Sequence, residues 1–317
     1  PGDAHMNRST WLLLRLLQVI PTFLLIGVAV FVLARLLPGD IVSSMLGERA
    51  SDAAINRMTH QLGLDRSIGA QMLSFLESVA RGRLGDSLAF HVPVLKLIGD
   101  RLPVTLLLSG MATLIAVAVA VPMAFVAALT ANRWPDLLIR SVFQVGLSSP
   151  VFYVGLVLLT VFAGWLRWFP VGGYGDTAGE HLYHLFLPAL TLALSFAAVV
   201  MRSLRASILQ VLTAEYVDFA RAKGLRGRVV LFRHVLRNAL IATVTLVGLQ
   251  IGSLLGGAVI TESVFAVPGV GRLMVDSIFA RDYPVIQALT LVLAVLVSLA
   301  LLVSDVVQMW LDPRVGR

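Results

Sequence analysis

Six long apolar runs punctuate this 317-residue chain, at about Trp11–Leu36, Thr105–Thr130, Leu137–Leu166, Leu185–Val200, Ala239–Ile260 and Pro284–Val307. About 20 apolar residues wound as an α-helix match the thickness of a bilayer core. Within hydrocarbon every N–H and C=O must find a partner in the chain, and a helix achieves this one segment at a time. A membrane barrel would show short stretches alternating every second residue, a pattern missing here. The runs predict an all-α, polytopic membrane protein with about six transmembrane helices. The fourth run is the shortest, and the pattern carries it helically onward through Arg202 and Arg205. Charged residues make up 14% of the chain, against about a quarter in soluble domains.

The distribution of cations orients these spans. Residues 201–238 carry eight Lys and Arg against two acids, while 167–184 carry one basic residue. Arg8 and Arg15 flank the first run, Arg133 and Arg140 border the loop after the second, and Arg314 and Arg317 close the chain. Cytoplasmic loops collect Lys and Arg, so an N-in/C-in topology is expected. The same rule accounts for the formal charge of +7. No basic surface with interleaved aromatics stands outside those loops, which argues against nucleic acid as a partner. Residues 38–101 carry seven basic and seven acidic residues, so charge does not hold them inside, and long segments translocate largely regardless of charge. Turn signals at Leu37–Asp40, Leu62–Asp65 and Gly82–Ser87 predict a small extracytoplasmic helical insertion between helices 1 and 2. The expected division is a cloning scar at 1–5, an N-terminal transmembrane helix at 6–37 and an extracytoplasmic subdomain at 38–102. A five-helix permeation core follows at 103–317, with a cytoplasmic loop at about 201–238.

Several chemistries are excluded. The chain has no cysteine, hence no disulfide framework, thiol catalysis or Cys-ligated zinc. It lacks Gly-x-x-x-x-Gly-Lys and cannot cradle ATP phosphates, so energy for any pumping must come from a partner. Neither Gly-x-Ser-x-Gly nor His-Glu-x-x-His occurs, which removes the common membrane-hydrolase readings. A channel or ion-coupled transporter would bury ionisable residues mid-span, and mid-span acids and lysines are absent. That class is the more distant alternative.

One polar island stands between the fourth and fifth runs. From Thr213 to Lys223 the residues favour helix, with Glu215 in the first turn, Lys223 in the last, and Gly224 where a left-handed cap belongs. Tyr216, Phe219, Ala220 and Lys223 share one face at helical spacing. Such a helix fits a groove on a soluble partner, with the two aromatics as anchors and Ala220 permitting close approach; the alternative is an ordinary solvated loop. Gly248, Gly252 and Gly256 recur at four-residue spacing, a pattern for close helix packing within the subunit or against a second one. Gln144, Ser148, Ser149 and Gln250 are polar at membrane depth, as pathway lining or as structural groups. Pro150 predicts a kink in the third span. Glu262, Pro268, Gly269 and Asp276 suggest an outer gate, a binding-protein contact or simply a folded loop. His234 reads as a hydrogen-bonded loop residue, with no second ligand at metal spacing.

The run Glu215 to Leu225, with His234–Val235–Leu236–Arg237–Asn238–Ala239 downstream, resembles the ATPase-docking loop of inner-membrane permease subunits of binding-protein-dependent ABC importers. Within these it is most similar to the peptide/nickel branch. Further matching stretches include Arg101–Leu102–Pro103, Gly172–Gly173–Tyr174, Pro268–Gly269–Val270–Gly271–Arg272 and Arg281–Asp282–Tyr283. Asp218–Phe219 departs from the Arg-Thr usual there. The resemblance implies a non-catalytic transport subunit in the bacterial inner membrane. It also implies coupling through Glu215, Tyr216, Phe219, Ala220, Lys223, Gly224, His234, Arg237 and Asn238. The implied partners are a homologous sister permease, two ATPase subunits holding ATP and Mg, and a periplasmic or lipid-anchored binding protein. The implied substrates are peptides, with nickel, a metal chelate or glutathione as alternatives.

Overall fold

The computed structural model describes residues 8–36, 51–61 and 65–311. The expected scar at 1–5, the turn at Leu37–Asp40 and most of the one at Leu62–Asp65 lie outside these residues. In chain order the elements are α1 (Arg8–Leu36), α2 (Asp52–Gln61), α3 (Ile68–Ala80), α4 (Val94–Leu129), α5 (Trp134–Ser148) and α6 (Val151–Leu158). A π-helical turn, Leu159–Trp165, extends α6. Then follow α7 (Ala178–Leu212), α8 (Glu215–Ala222), α9 (Arg237–Val264), α10 (Val270–Phe279) and α11 (Tyr283–Leu311). Among the described residues four helices are long and apolar enough to cross a membrane, or five if the bent pair α5–α6 counts as one span.

The α4–α7 pair forms the centre, with α9 against α7 and α11 against α9. Its closeness is written in side-chain size. On α4, Ala112, Ala116, Ala120, Ala124 and Ala128 recur at four-residue intervals and all are buried. They meet Ala189, Ala193 and Ala197, then Val200, Leu204 and Ile208, on α7. Small residues on one row let two backbones approach, which is how helices pack where lipid removes the hydrophobic drive. The outward faces stay apolar, as at Leu25, Leu114 and Val145.

Prolines separate two behaviours. Pro21, Pro103, Pro122 and Pro188 sit inside continuous helices, since neighbouring helices can absorb a missing N–H at membrane depth. Pro150 does not. Ser149 and Pro150 both adopt extended ψ, 132° and 134°, because proline disfavours the α-region for the residue before it. The expected kinked span is therefore two helices meeting at 105°.

α7 runs 35 residues, about 52 Å, so it continues through Arg202 and Arg205 as the sequence indicated. Its start is fixed by a capping box between Thr177 and Glu180. α4 begins at Val94, so the boundary expected at 102–103 falls within a continuous helix. A second apolar cluster, built from Val94 and Ile98 of α4, Val270 and Leu273 of α10, and Val285 and Leu289 of α11, ties these helix ends together.

Candidate functional site

The polar island folds as α8. Its C-terminus closes in a Schellman arrangement: Gly224 N–H donates to the Arg221 carbonyl at 2.9 Å and Leu225 N–H to that of Ala220 at 3.4 Å. Gly224 takes φ +76°, a conformation costly for any residue with a Cβ. Val217 and Ala220, one turn apart, are buried in the main core. Tyr216 and Phe219 face outward, Phe219 at 63% exposure. The Lys223 ammonium stands 4.6 Å from the Phe219 ring centroid. This corrects the expected face. Ala220 is buried beside Val217 rather than exposed with the aromatics, so it seats the helix on the subunit, because residues three apart from Val217 follow the buried row.

After Leu225 the chain re-enters helix through Gly227–Val229 and a π-helical turn, Val230–Leu236. Val230 and Val235 are buried with Val217, and Phe232 stacks on Phe125 of α4 at 6.0 Å. The His234 carbonyl accepts a hydrogen bond from Asn238 Nδ2 at 2.6 Å. Among the described residues no cluster of potential metal ligands includes His234. Glu215 and Arg237 are exposed at the two ends of this region.

The glycine row divides. A Cβ on Gly248 would lie 2.0 Å from Ser304 Oγ, and one on Gly252 would lie 3.2 Å from Val297 Cγ1, both on α11. Gly256 faces open space. The first two therefore serve packing within the chain. Of the polar residues, Gln144 donates to Ser148 Oγ at 3.2 Å and Ser149 donates to the Val145 carbonyl. Gln250 lies on α9 beside Ser253. The fold does not gather the four residues into one site.

Glu262 and Gly269 are buried, so in this conformation they cannot touch a binding protein directly. Glu262 instead ties three elements: Thr105 Oγ1 of α4 donates to its Oε1, and Arg272 N–H, in the first turn of α10, donates to its Oε2 at 3.0 Å. The Val270 N–H donates to the Thr105 hydroxyl at 2.9 Å, closing the knot. A Cβ on Gly269 would meet the Glu262 carboxylate, so a side chain there would displace it from the knot. Pro268 is half-buried, whereas Asp276 is exposed, 3.9 Å from Arg272.

Two anchors escaped the sequence reading. Asp136 is buried and paired with Arg205 of α7 by two hydrogen bonds of 2.7 Å, and it also accepts from Asn132 N–H. Asp282, at the start of α11, accepts from the Ser87 hydroxyl and from Ala89 N–H. A usable signal existed for the first: Asp136 is the one acid between Asp100 and Asp176, and a lone acid in so apolar a stretch needs a partner.

Comparison with known proteins agrees with this architecture. Residues 120–317 match the family described as "Binding-protein-dependent transport system inner membrane component", and residues 8–109 match its N-terminal companion. The probable D,D-dipeptide transport system permease protein DdpB of Escherichia coli (strain K12) is 36% identical over 314 residues, covering 92% of each chain. The glutathione transport system permease protein GsiC of Escherichia coli O6:H1 is 40% identical over 301 residues, covering 95% of this chain and 97% of its own. Among solved structures, an inward-facing MetNI methionine ABC transporter aligns with a TM-score of 0.59 at 15% identity, over 69% of this chain and 97% of that one. At that identity the likeness concerns the fold.

Proposed function

We propose that this chain, which belongs to the family of binding-protein-dependent transport system inner membrane components, couples ATP hydrolysis on partner ATPases to substrate movement through α8. The observation that carries this reading is the two-sided character of α8, with Val217 and Ala220 buried in the core and Tyr216 and Phe219 exposed. A helix so held transmits a push on its outer face to α7 and α9 rather than swinging free. The chain carries no Walker A sequence, so ATP and Mg belong to two partner ATPase subunits.

In this reading α1 is the first of six spans and the Arg-rich ends of α5, α7 and α9 lie in the cytoplasm, N-in/C-in. The described residues between α1 and α4, together with α10, then face the periplasmic side of a bacterial inner membrane, where a binding protein delivers substrate. A homologous sister permease completes the pathway, and the open face at Gly256 is a candidate contact for it. Substrates are peptide-like. Glutathione is the second reading, favoured by the 40% identity to a glutathione permease; nickel or a metal chelate is a third.

The test is uptake and binding-protein-stimulated ATP hydrolysis by the reconstituted complex bearing Phe219→Arg or Gly224→Arg. Loss of both activities with normal insertion is expected. Unchanged uptake in Phe219→Arg, whose side chain is exposed and whose substitution leaves the core intact, would overturn the coupling role. Because the chain has no cysteine, single cysteines at Gly227 and Asp176 test the orientation. An impermeant maleimide added to spheroplasts should label the second and spare the first.

A further inference from the structure

A cavity of about 610 Å³ opens between α5 and α7. The two helices run antiparallel in a defined register. Asp136 meets Arg205 at one end, and ten residues along α5 a Cβ on Gly146 would lie 3.7 Å from the Leu194 carbonyl. This register brings Arg140 and Arg202 to nearly one level, beside Arg205, while Phe143, Leu147 and Ala198 line the cavity further in. Arg140 to Leu147 spans about 10 Å of helix.

The charge there is unbalanced. Arg205 is engaged by Asp136. Arg140 reaches the same carboxylate at only 3.9 Å. Arg202 is exposed and has no ion pair among the described residues. Three guanidinium groups thus stand against one carboxylate at the end of a groove whose inner wall is largely apolar, with Gln144 as a polar side chain between Phe143 and Leu147. A small soluble anion would satisfy the arginines and leave the apolar wall wet. A zwitterionic peptide would also need an acceptor for its ammonium group, and Asp136 is already saturated by Arg205 and Asn132. An amphiphile satisfies both halves: guanidinium forks suit phosphate oxygens, and basic pockets between membrane helices on the cytoplasmic side accept acidic headgroups.

We propose that the α5–α7 cavity binds an anionic phospholipid of the cytoplasmic leaflet, its phosphate on Arg140 and Arg202 and its acyl chain along Phe143, Leu147 and Ala198. Naming the leaflet rests on the N-in orientation above; the binding itself does not. The bound lipid bridges α5 and α7 beside the Asp136–Arg205 pair, so it braces the span that Pro150 breaks.

The experiment titrates phosphatidylglycerol into the complete transporter complex, purified in phosphatidylcholine-containing micelles, and counts retained lipids by native mass spectrometry. The Arg140→Gln/Arg202→Gln double variant should need on the order of tenfold more phosphatidylglycerol for equal occupancy. A charge-matched Arg81→Gln/Arg83→Gln control should titrate like wild type. Equal titration by all three overturns the proposal. Millimolar inorganic phosphate that fully displaces the lipid would make this a small-anion site, and displacement by a transported dipeptide would put it on the pathway; either result overturns the lipid assignment. Without any variant, phosphatidylglycerol should raise the melting temperature of the wild-type complex above that in phosphatidylcholine alone, and equal temperatures count against the site. None of these readouts involves transport or ATP hydrolysis, so this proposal and the coupling reading fail separately.

Discussion

The two ends of the helical bundle handle buried acids in opposite ways. At the Arg-rich end, Asp136 of α5 is gripped by a guanidinium from α7. At the other end, Glu262 and Asp282 make no ion pair among the described residues and are held by hydroxyls and backbone N–H groups. A side-chain ion pair clamps one helix to another, and at Asp136 a single backbone N–H, that of Asn132, adds a hold on the loop before α5. Backbone donors instead fix loops and helix starts, where N–H groups have no intrahelical partner. That end is therefore laced between segments far apart in sequence, Ser87 with Asp282 and Thr105 with Glu262. The Arg-rich end carries one clamp and an exposed helix, α8, seated by Val217 and Ala220. One end is laced across loops and helix starts, and the other leaves Tyr216 and Phe219 of α8 exposed.

The contrast can be broken in order of expected cost. Asp136→Ala strands Arg205 and should lower stability by about 3 kcal/mol, seen as a fall in the melting temperature of the purified complex. Glu262→Gln replaces an accepting oxygen of the knot under α10 with an amide donor and should cost about 2 kcal/mol. Limited proteolysis should then open the 266–282 segment before the rest. Ser87→Ala removes one donor to Asp282 and should cost about 1 kcal/mol, with faster hydrogen exchange confined to residues 85–93. Phe219→Ala should change stability by no more than about 0.5 kcal/mol while reducing stimulated ATP hydrolysis. If Phe219→Ala destabilises the subunit as much as Glu262→Gln does, α8 is part of the scaffold and the contrast between the ends is false.

The apolar runs foretold helices at nearly the right places because a bilayer leaves the backbone few options. The short helix α8 was equally readable: its acid, its base and the cap at Gly224 are local signals, and all lie within one dozen residues. What misled was the division of its face. Ala220 and Phe219 are neighbours in sequence, and only the seat of α8 on the core decides which of them looks outward. The Gly248–Gly256 row shows the same limit, since spacing announces close packing but not the partner, and α11 supplies Ser304 and Val297 to just two of the three.

Chain chemistry alone was enough for an all-helical membrane protein, for the absence of an ATP-cradling sequence, and for the cationic end. Each follows from composition or from contacts a few residues long. The 105° turn at Pro150, the Asp136–Arg205 clamp and the Glu262 and Asp282 anchors belong to the folded arrangement. The partners of the three acids lie 69, 157 and 195 positions away, and an interaction at such separation exists only once packing has brought the two segments side by side.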